Sequence, residues 1–445
     1  MKALAWSALV GGALFCTVPA CSAGSSEKPG LGGGATGSGA TSSVGGTQPN
    51  LGGSIGAGST LSVGGLNGGG SSAGGVTGCQ SGGAVFVPKV PTVMLLVDRS
   101  GTMFALQGNP QTTPWDTLRD GVLPVVQELN AQVRFGLMGV TGEKGQCPLL
   151  DEVAPADQNY EAVAAKYTSL MKPLKGESPG MRGLARAYEI LSADPTPGDK
   201  YILFVTDGEQ DYCDDGNALC PTDSVVYWLQ KLKALNVTTM IFGLPSGANG
   251  VAETARYEAV LQAFANAGAG QPVAPVATDP TNPAITPEMA AIDIYYQCFP
   301  GGDPNAAGWK AEFGTVTKVD DPATAGIDET KTLGNYNAAG GTAKVFKPDP
   351  TDQTALAEEF RKVLAGVKSC TFDLGGDIKV NQDRLDDASV IVQGTPVPLD
   401  LTGMNGWHMP TPTQIELVGS ACENWRMPQN NDIQWGFPCD ILVPK

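Results

Sequence analysis

Thr92-Val93-Met94-Leu95-Leu96-Val97 runs without a break into Asp98-Arg99-Ser100-Gly101-Thr102. A short apolar run of this kind reads as a strand. It ends on a carboxylate followed, at alternate positions, by two hydroxyls. In a tight loop these three side chains can turn toward one point, and a hard cation such as Mg²⁺ takes oxygen ligands while keeping several waters. Alone, an Asp with nearby Ser and Thr reads more simply as a turn or a helix cap. The decision therefore rests on what the rest of the chain brings to the same place.

From 90 to 367 short apolar runs alternate with helical patterns, which predicts an α/β domain with a mostly parallel sheet. Strands are expected at Thr92 to Val97, Val133 to Val140, Tyr201 to Thr206, Val237 to Phe242 and Ala343 to Phe346. Helices are expected near 114–130, 158–172, 180–192, 222–235, 252–266 and 351–367. In the last, Leu356, Phe360, Val363, Leu364 and Val367 form one apolar stripe, and Asp349-Pro350 reads as an N-cap with Pro at the first helical position. Residues 270–331 weaken into Pro, Gly, Asp and Thr around the apolar patch Ile292 to Phe299 and read as an insertion. After Cys370, short alternating segments at Asp377 to Val380, Ser389 to Val392 and Gln414 to Val418 predict a small β-rich module.

Two more loops point to the first. The run Tyr201-Ile202-Leu203-Phe204-Val205 ends in Thr206-Asp207-Gly208-Glu209, a second carboxylate at the carboxyl end of a strand. Gly176-Glu177-Ser178-Pro179-Gly180 opens a helix and offers another hydroxyl. In open α/β sheets ligands sit in the crevice beyond the strands' carboxyl ends, where all three loops would meet.

Those residues carry a resemblance. Val93 to Met103, an apolar strand followed by Asp-x-Ser-x-Thr, resembles the first motif of von Willebrand factor A-type domains with a metal-ion-dependent adhesion site. Ser178-Pro179 with Gly183-Leu184 resembles the second motif, and Leu203 to Glu209 the third. The resemblance covers 90–367 and implies a doubly wound, mostly parallel von Willebrand A- or Rossmann-like sheet, with Asp98, Ser100, Thr102, Ser178 and Asp207 as ligands of Mg²⁺, Mn²⁺ or Ca²⁺. Ser178 stands where Thr is usual and Thr102 where Ser is commoner. Both keep the oxygen, so altered affinity is expected more than lost binding. In the family the ion keeps an open position that captures an acidic side chain of a protein partner. Glu209, Asp211, Asp214 and Asp215 read as a solvated acidic loop pinned by cysteines.

Composition narrows the alternatives. A formal charge of -17 and no basic run disfavour nucleic acid, whose phosphates need clustered Lys and Arg. The single His, His408 in Gly406-Trp407-His408-Met409-Pro410, reads as a surface or packing residue, so Ser/His/Asp and Cys/His chemistry has little to build on. Asp98 followed by Arg breaks an aspartic-protease loop, and no Walker loop or convincing dinucleotide fingerprint appears. The chain is thus expected not to be an enzyme. Two other classes stay open: a structural envelope protein whose metal is absent or only stabilising, and an extracellular hydrolase using a carboxylate pair among the 45 acidic residues.

The N-terminus reads as an export signal over 1–20: Lys2, the apolar run Ala3 to Val18, then Val18-Pro19-Ala20-Cys21. Small residues before Cys21 resemble a lipobox, which implies lipidation of Cys21 and anchoring to an outer membrane or cell surface; secretion after Ala20 is the rival. Residues 21–84, rich in Gly, Ser, Thr and Ala, are expected to be a flexible tether. The adhesion-type domain would span 85–369 and the β-rich module 370–445. Eight cysteines beyond the signal and Cys21 suggest four disulfides, with Cys213–Cys220 and Cys422–Cys439 favoured by closeness in sequence. A zinc site is the weaker alternative, since no Cys-x-x-Cys occurs.

Overall fold

The computed structural model describes residues 86–108, 111–143, 146–173, 176–208, 210–211, 219–244, 251–298, 334–427, 430 and 432–445. The expected signal and tether, with Cys21, and the loop residues Glu209, Cys213, Asp214 and Asp215 lie outside them.

A short strand β1 (Phe86–Pro88) leads into β2 (Thr92–Asp98), the central strand of a six-stranded sheet. Its companions are β3 (Arg134–Glu143), β4 (Gln146–Ala156), β5 (Lys200–Thr206), β6 (Val237–Gly243) and β7 (Val345–Phe346). The order is β4-β3-β2-β5-β6-β7, parallel except for the antiparallel edge pair β3–β4. Successive connections run outward from β2 on one side and then cross to β5 on the other. This is the doubly wound order, and its switch point lies between β2 and β5.

Every residue of β2 is buried. The side chains alternate between two cores, as the two-residue strand period requires. Met94 and Leu96 join α3 (Gly180–Ala193), α4 (Leu219–Ala234) and α5 (Val251–Ala269); Val93, Leu95 and Val97 join α1 (Pro114–Leu129), α2 (Tyr160–Ser169) and α7 (Gln353–Val367). Burying each such aliphatic side chain contributes about 1.5–3 kcal/mol, so the apolar run is explained by helices on both faces of the sheet. Within the region read as an insertion, α6 (Pro287–Cys298) contributes Ile294 to the first core.

Strand β4 is not marked by the sequence pattern. It carries Pro148 and Pro155 and pairs on one side only, the place where a strand tolerates proline. The cap of α7 also differs from expectation. Asp352, not Asp349, accepts from the amides of Thr354 and Ala355, while Asp349 closes its own turn on Thr351.

The β-rich part holds β8 (Thr371–Leu374), β9 (Ile378–Val380), β10 (Ser389–Val392), β11 (Thr395–Val397), β12 (Gly406–Thr411), β13 (Gln414–Val418), the helix α8 (Ser420–Arg426), β14 (Ile433–Gly436) and β15 (Leu442–Pro444). They form sheets β1-β8-β13-β12, β11-β10-β14 and β15-β9 around one core. The first sheet includes β1, which precedes the α/β domain in the chain. Phe86 is buried there, 5.3 Å from both the Trp435 and Phe437 rings.

The expected Cys422–Cys439 pairing is corrected: Cys422 is bonded to Cys370, with Cα atoms 5.5 Å apart. The cause is topological. β13 pairs with β8, so α8, which follows β13, comes to Cys370, the residue just before β8, although 52 positions separate the two cysteines. Cys147 and Cys220 are also disulfide-bonded. Cys213, the expected partner of Cys220, lies outside the described residues.

Candidate metal centre

Asp98 is the last residue of β2, and Asp207 directly follows β5. Because Val97 lies opposite Val205 in the parallel register, both carboxylates emerge side by side at the switch point. Asp98, Ser100 and Asp207 are each 2% exposed, whereas Thr102 is exposed at the rim.

The first loop is an Asx turn: Asp98 Oδ1 accepts from the Ser100 amide at 2.8 Å, which brings the Ser100 hydroxyl back over the strand end. Ser100 Oγ then lies 2.9 Å from Thr102 Oγ1 and donates to Asp207 Oδ1 at 3.2 Å. Thr206 Oγ1 donates to Asp98 Oδ2 at 3.0 Å from the other strand. Asp98, Ser100, Thr102 and Asp207 therefore form one connected oxygen cluster.

Ser178 is brought to the same rim, 8% exposed, through its backbone. Its amide donates to Asp211 Oδ1 at 2.8 Å, and the Asp211 amide returns a bond to the Ser178 carbonyl at 3.2 Å. Gly176 closes this loop onto the first: its carbonyl accepts from the Gly101 amide at 3.1 Å. With φ +80° and a would-be Cβ only 2.2 Å from Gly101 N, position 176 admits glycine alone.

Arg99, the variable residue of the first motif, points away from the cluster. It is 5% exposed, its Nη2 is 3.0 Å from Asp151 on β4, and its Nη1 donates to the Met171 carbonyl at 2.8 Å. Arg99 thus ties the first loop to the sheet edge. The contributions of Thr206, Gln210, Asp211 and Arg99 were not legible beforehand. Only their nearness to the two motifs signalled them.

Burial raises the pKa of Asp98, against hydrogen bonds from Ser100, Thr206 and Gln210 that lower it. Asp207 is pushed up to about 7, first by burial and then by the charge of Asp98, with the Thr102 and Ser100 hydroxyls opposing. Two like charges in a dry site resist joint ionisation. A divalent cation removes that obstacle, and the donor set, two carboxylates with hydroxyls and no sulfur or imidazole, has the chemistry of a hard-cation site. Among the described residues no group of three or more His, Cys, Asp or Glu side chains is placed to hold a metal ion; this centre brings two carboxylates together with hydroxyls. His408 belongs to the other module, on β12, with Nε2 3.2 Å from Glu416 on β13.

No family model matches the chain, and no curated protein does. Solved structures similar to it include the SpRpn10 VWA domain, at 17% identity over 40% of this chain and 82% of that one, with TM-score 0.30. BatB from Bacteroides thetaiotaomicron matches at 14% identity over 35% of this chain and 66% of that one, with TM-score 0.27. The pilus adhesin SpaC from Lactobacillus rhamnosus GG, in an open conformation, matches at 13% identity over 80% of this chain and 42% of that one, with TM-score 0.34. The chain spans less than two thirds of the BatB and SpaC chains. With its six-stranded, doubly wound sheet and flanking helices, the larger part of the chain has a von Willebrand A-like α/β fold.

Proposed function

We propose that the protein binds a protein partner through a divalent cation, Mg²⁺ or else Mn²⁺ or Ca²⁺, held by Asp98, Ser100, Thr102, Ser178 and Asp207. The observation that carries this reading is the convergence of two buried carboxylates at the sheet's switch point, linked through Ser100, whose amide donates to Asp98 and whose hydroxyl donates to Asp207. Two carboxylates and neutral hydroxyls leave a divalent ion electrophilic. An acidic side chain from a partner would complete its shell, entering past the exposed Thr102. The role is adhesion or scaffolding, not catalysis. In this reading the chain is an exported lipoprotein, anchored through Cys21 to an outer membrane or cell surface and held off it by residues 21–84.

Calorimetric titration of Mg²⁺, Mn²⁺ and Ca²⁺ into the parent protein, Asp98→Ala and Asp207→Ala tests the site. Binding by the parent and none by either variant, with circular dichroism unchanged, is the expected result. Equal heats in parent and variants would put the ion elsewhere and remove the basis of the proposal.

A further inference from the structure

Behind the third loop Gln210 is wholly buried, 0% exposed, and its amide touches all three loops of the centre. Nε2 donates to Thr206 Oγ1 at 2.9 Å and lies 3.4 Å from Asp98 Oδ2, while Oε1 accepts from the Gly180 amide at 2.8 Å. Thr206 passes the contact on by donating to the same Asp98 oxygen. Gly180 is where α3 begins, and a Cβ there would fall 2.0 Å from Gln210 Oε1. The glycine at that position thus makes room for the amide. The neighbouring reciprocal pair between Asp211 and Ser178 fixes the same loop a second time.

Buried polar groups are expensive to leave unmade, so this amide cannot turn without losing bonds at both ends. Its effect is to hold one carboxylate oxygen of Asp98 at a set distance from the start of α3. Such stiffness matters differently to different ions. Mg²⁺ demands near-octahedral oxygens at about 2.0–2.1 Å, whereas Ca²⁺ accepts more ligands at about 2.3–2.6 Å in flexible geometry.

We infer that Gln210 is a positioning residue that sets ion selectivity, holding the centre at the geometry of Mg²⁺ through Thr206 and Asp98. The inference rests on the metal-binding reading above. A Gln that merely filled buried polar space would affect stability but not the choice between ions.

The test is calorimetric titration of MgCl₂ and CaCl₂ into the full chain, Gln210→Met and Thr206→Val, with melting temperatures taken in chelator. Gln210→Met keeps the length of the side chain and removes both bonds; Thr206→Val removes the relay hydroxyl should the first variant fail to fold. In each variant Mg²⁺ affinity is expected to fall about 10- to 100-fold, as outer-shell changes do, and Ca²⁺ affinity by less than about threefold. A parent that binds neither ion overturns the metal reading itself. A parent that binds, with variants that melt lower yet keep the parent's Mg²⁺ to Ca²⁺ ratio, overturns only the role given to Gln210.

Discussion

At the residue scale the centre is governed by the cost of ionising two buried carboxylates together. Asp207, held up at about 7 by burial and by Asp98, keeps its proton in the folded chain at pH values where the unfolded chain has already released it near 3.8. The folded state therefore binds more protons in that window, and stability falls as pH rises from about 4 to about 7. The full effect is of the order of a few kcal/mol at most, since one pKa unit is about 1.4 kcal/mol. Urea unfolding in chelator across this range should show the decline, and Asp207→Asn should flatten it. Saturating Mg²⁺ should reverse the slope, because the ion binds the ionised pair and stabilises the folded chain by mass action. A decline that persists in Asp207→Asn would assign it to other groups. Gly176 gives a steric counterpart: Gly176→Ala combines a left-handed φ with a clash on Gly101. It is expected to cost about 1–3 kcal/mol and to abolish Mg²⁺ binding, read by thermal melting beside calorimetry. Retained Mg²⁺ affinity would mean that the two loops need not touch.

At the scale of elements, glycines within two packed helices report opposite demands. Gly121 of α1 faces α7, where a Cβ would lie 2.7 Å from Leu356 Cδ2 and 3.2 Å from the Gln353 carbonyl. Gly121→Ala is therefore expected to destabilise by about 1–3 kcal/mol through overpacking. Gly366 of α7 has nothing within 4 Å of its would-be Cβ, so Gly366→Ala should stabilise by about 0.5–1 kcal/mol through helix propensity. Chemical denaturation with unchanged m-values checks both; a loss of stability in Gly366→Ala would show that α7 needs its glycine for some other contact. The same contrast explains what the sequence made legible. Strands β2, β5 and β6 stood out because helices bury both faces, leaving long apolar runs. β4 did not, because an edge strand needs only one paired side and tolerates Pro148 and Pro155. The carboxylates of the first and third loops, and the hydroxyls of the first, were readable because their spacing follows directly from β2 and β5. Gln210 and Asp211 were not, since their roles depend on where α3 begins 30 residues earlier in the chain.

At the scale of the molecule, the chain enters the β-rich module through β1, leaves to build the α/β domain, and returns through β8. Lys89 and Thr371 mark the two crossings, and the Lys89 amide donates to the Thr371 carbonyl at 3.2 Å. The seam beside them is dense. Lys368 Nζ reaches the Trp425 and Asn430 carbonyls and lies 4.2 Å from the Trp425 ring, Trp425 Nε1 donates to the Ser369 carbonyl, and Arg426 Nε to that of Lys368. Burial lowers the Lys368 ammonium to about 8, as expected of a cation drawn into a junction between packed parts. The module's core is thus made from both ends of the described chain, with Phe86 between Trp435 and Phe437 as the N-terminal share. A fragment comprising residues 370–445 lacks that share, leaving the β8 edge and an aromatic pocket open. Phe86→Ala in the full chain should cost about 3–5 kcal/mol, the usual range for emptying a buried aromatic site. The fragment should bind a hydrophobic dye and lack a cooperative tryptophan fluorescence transition, while a fragment preserving 86–445 should melt with the module intact. A cooperative transition in the fragment 370–445 would show that β1 is an ornament of the sheet and that the α/β domain and the module fold as independent neighbours.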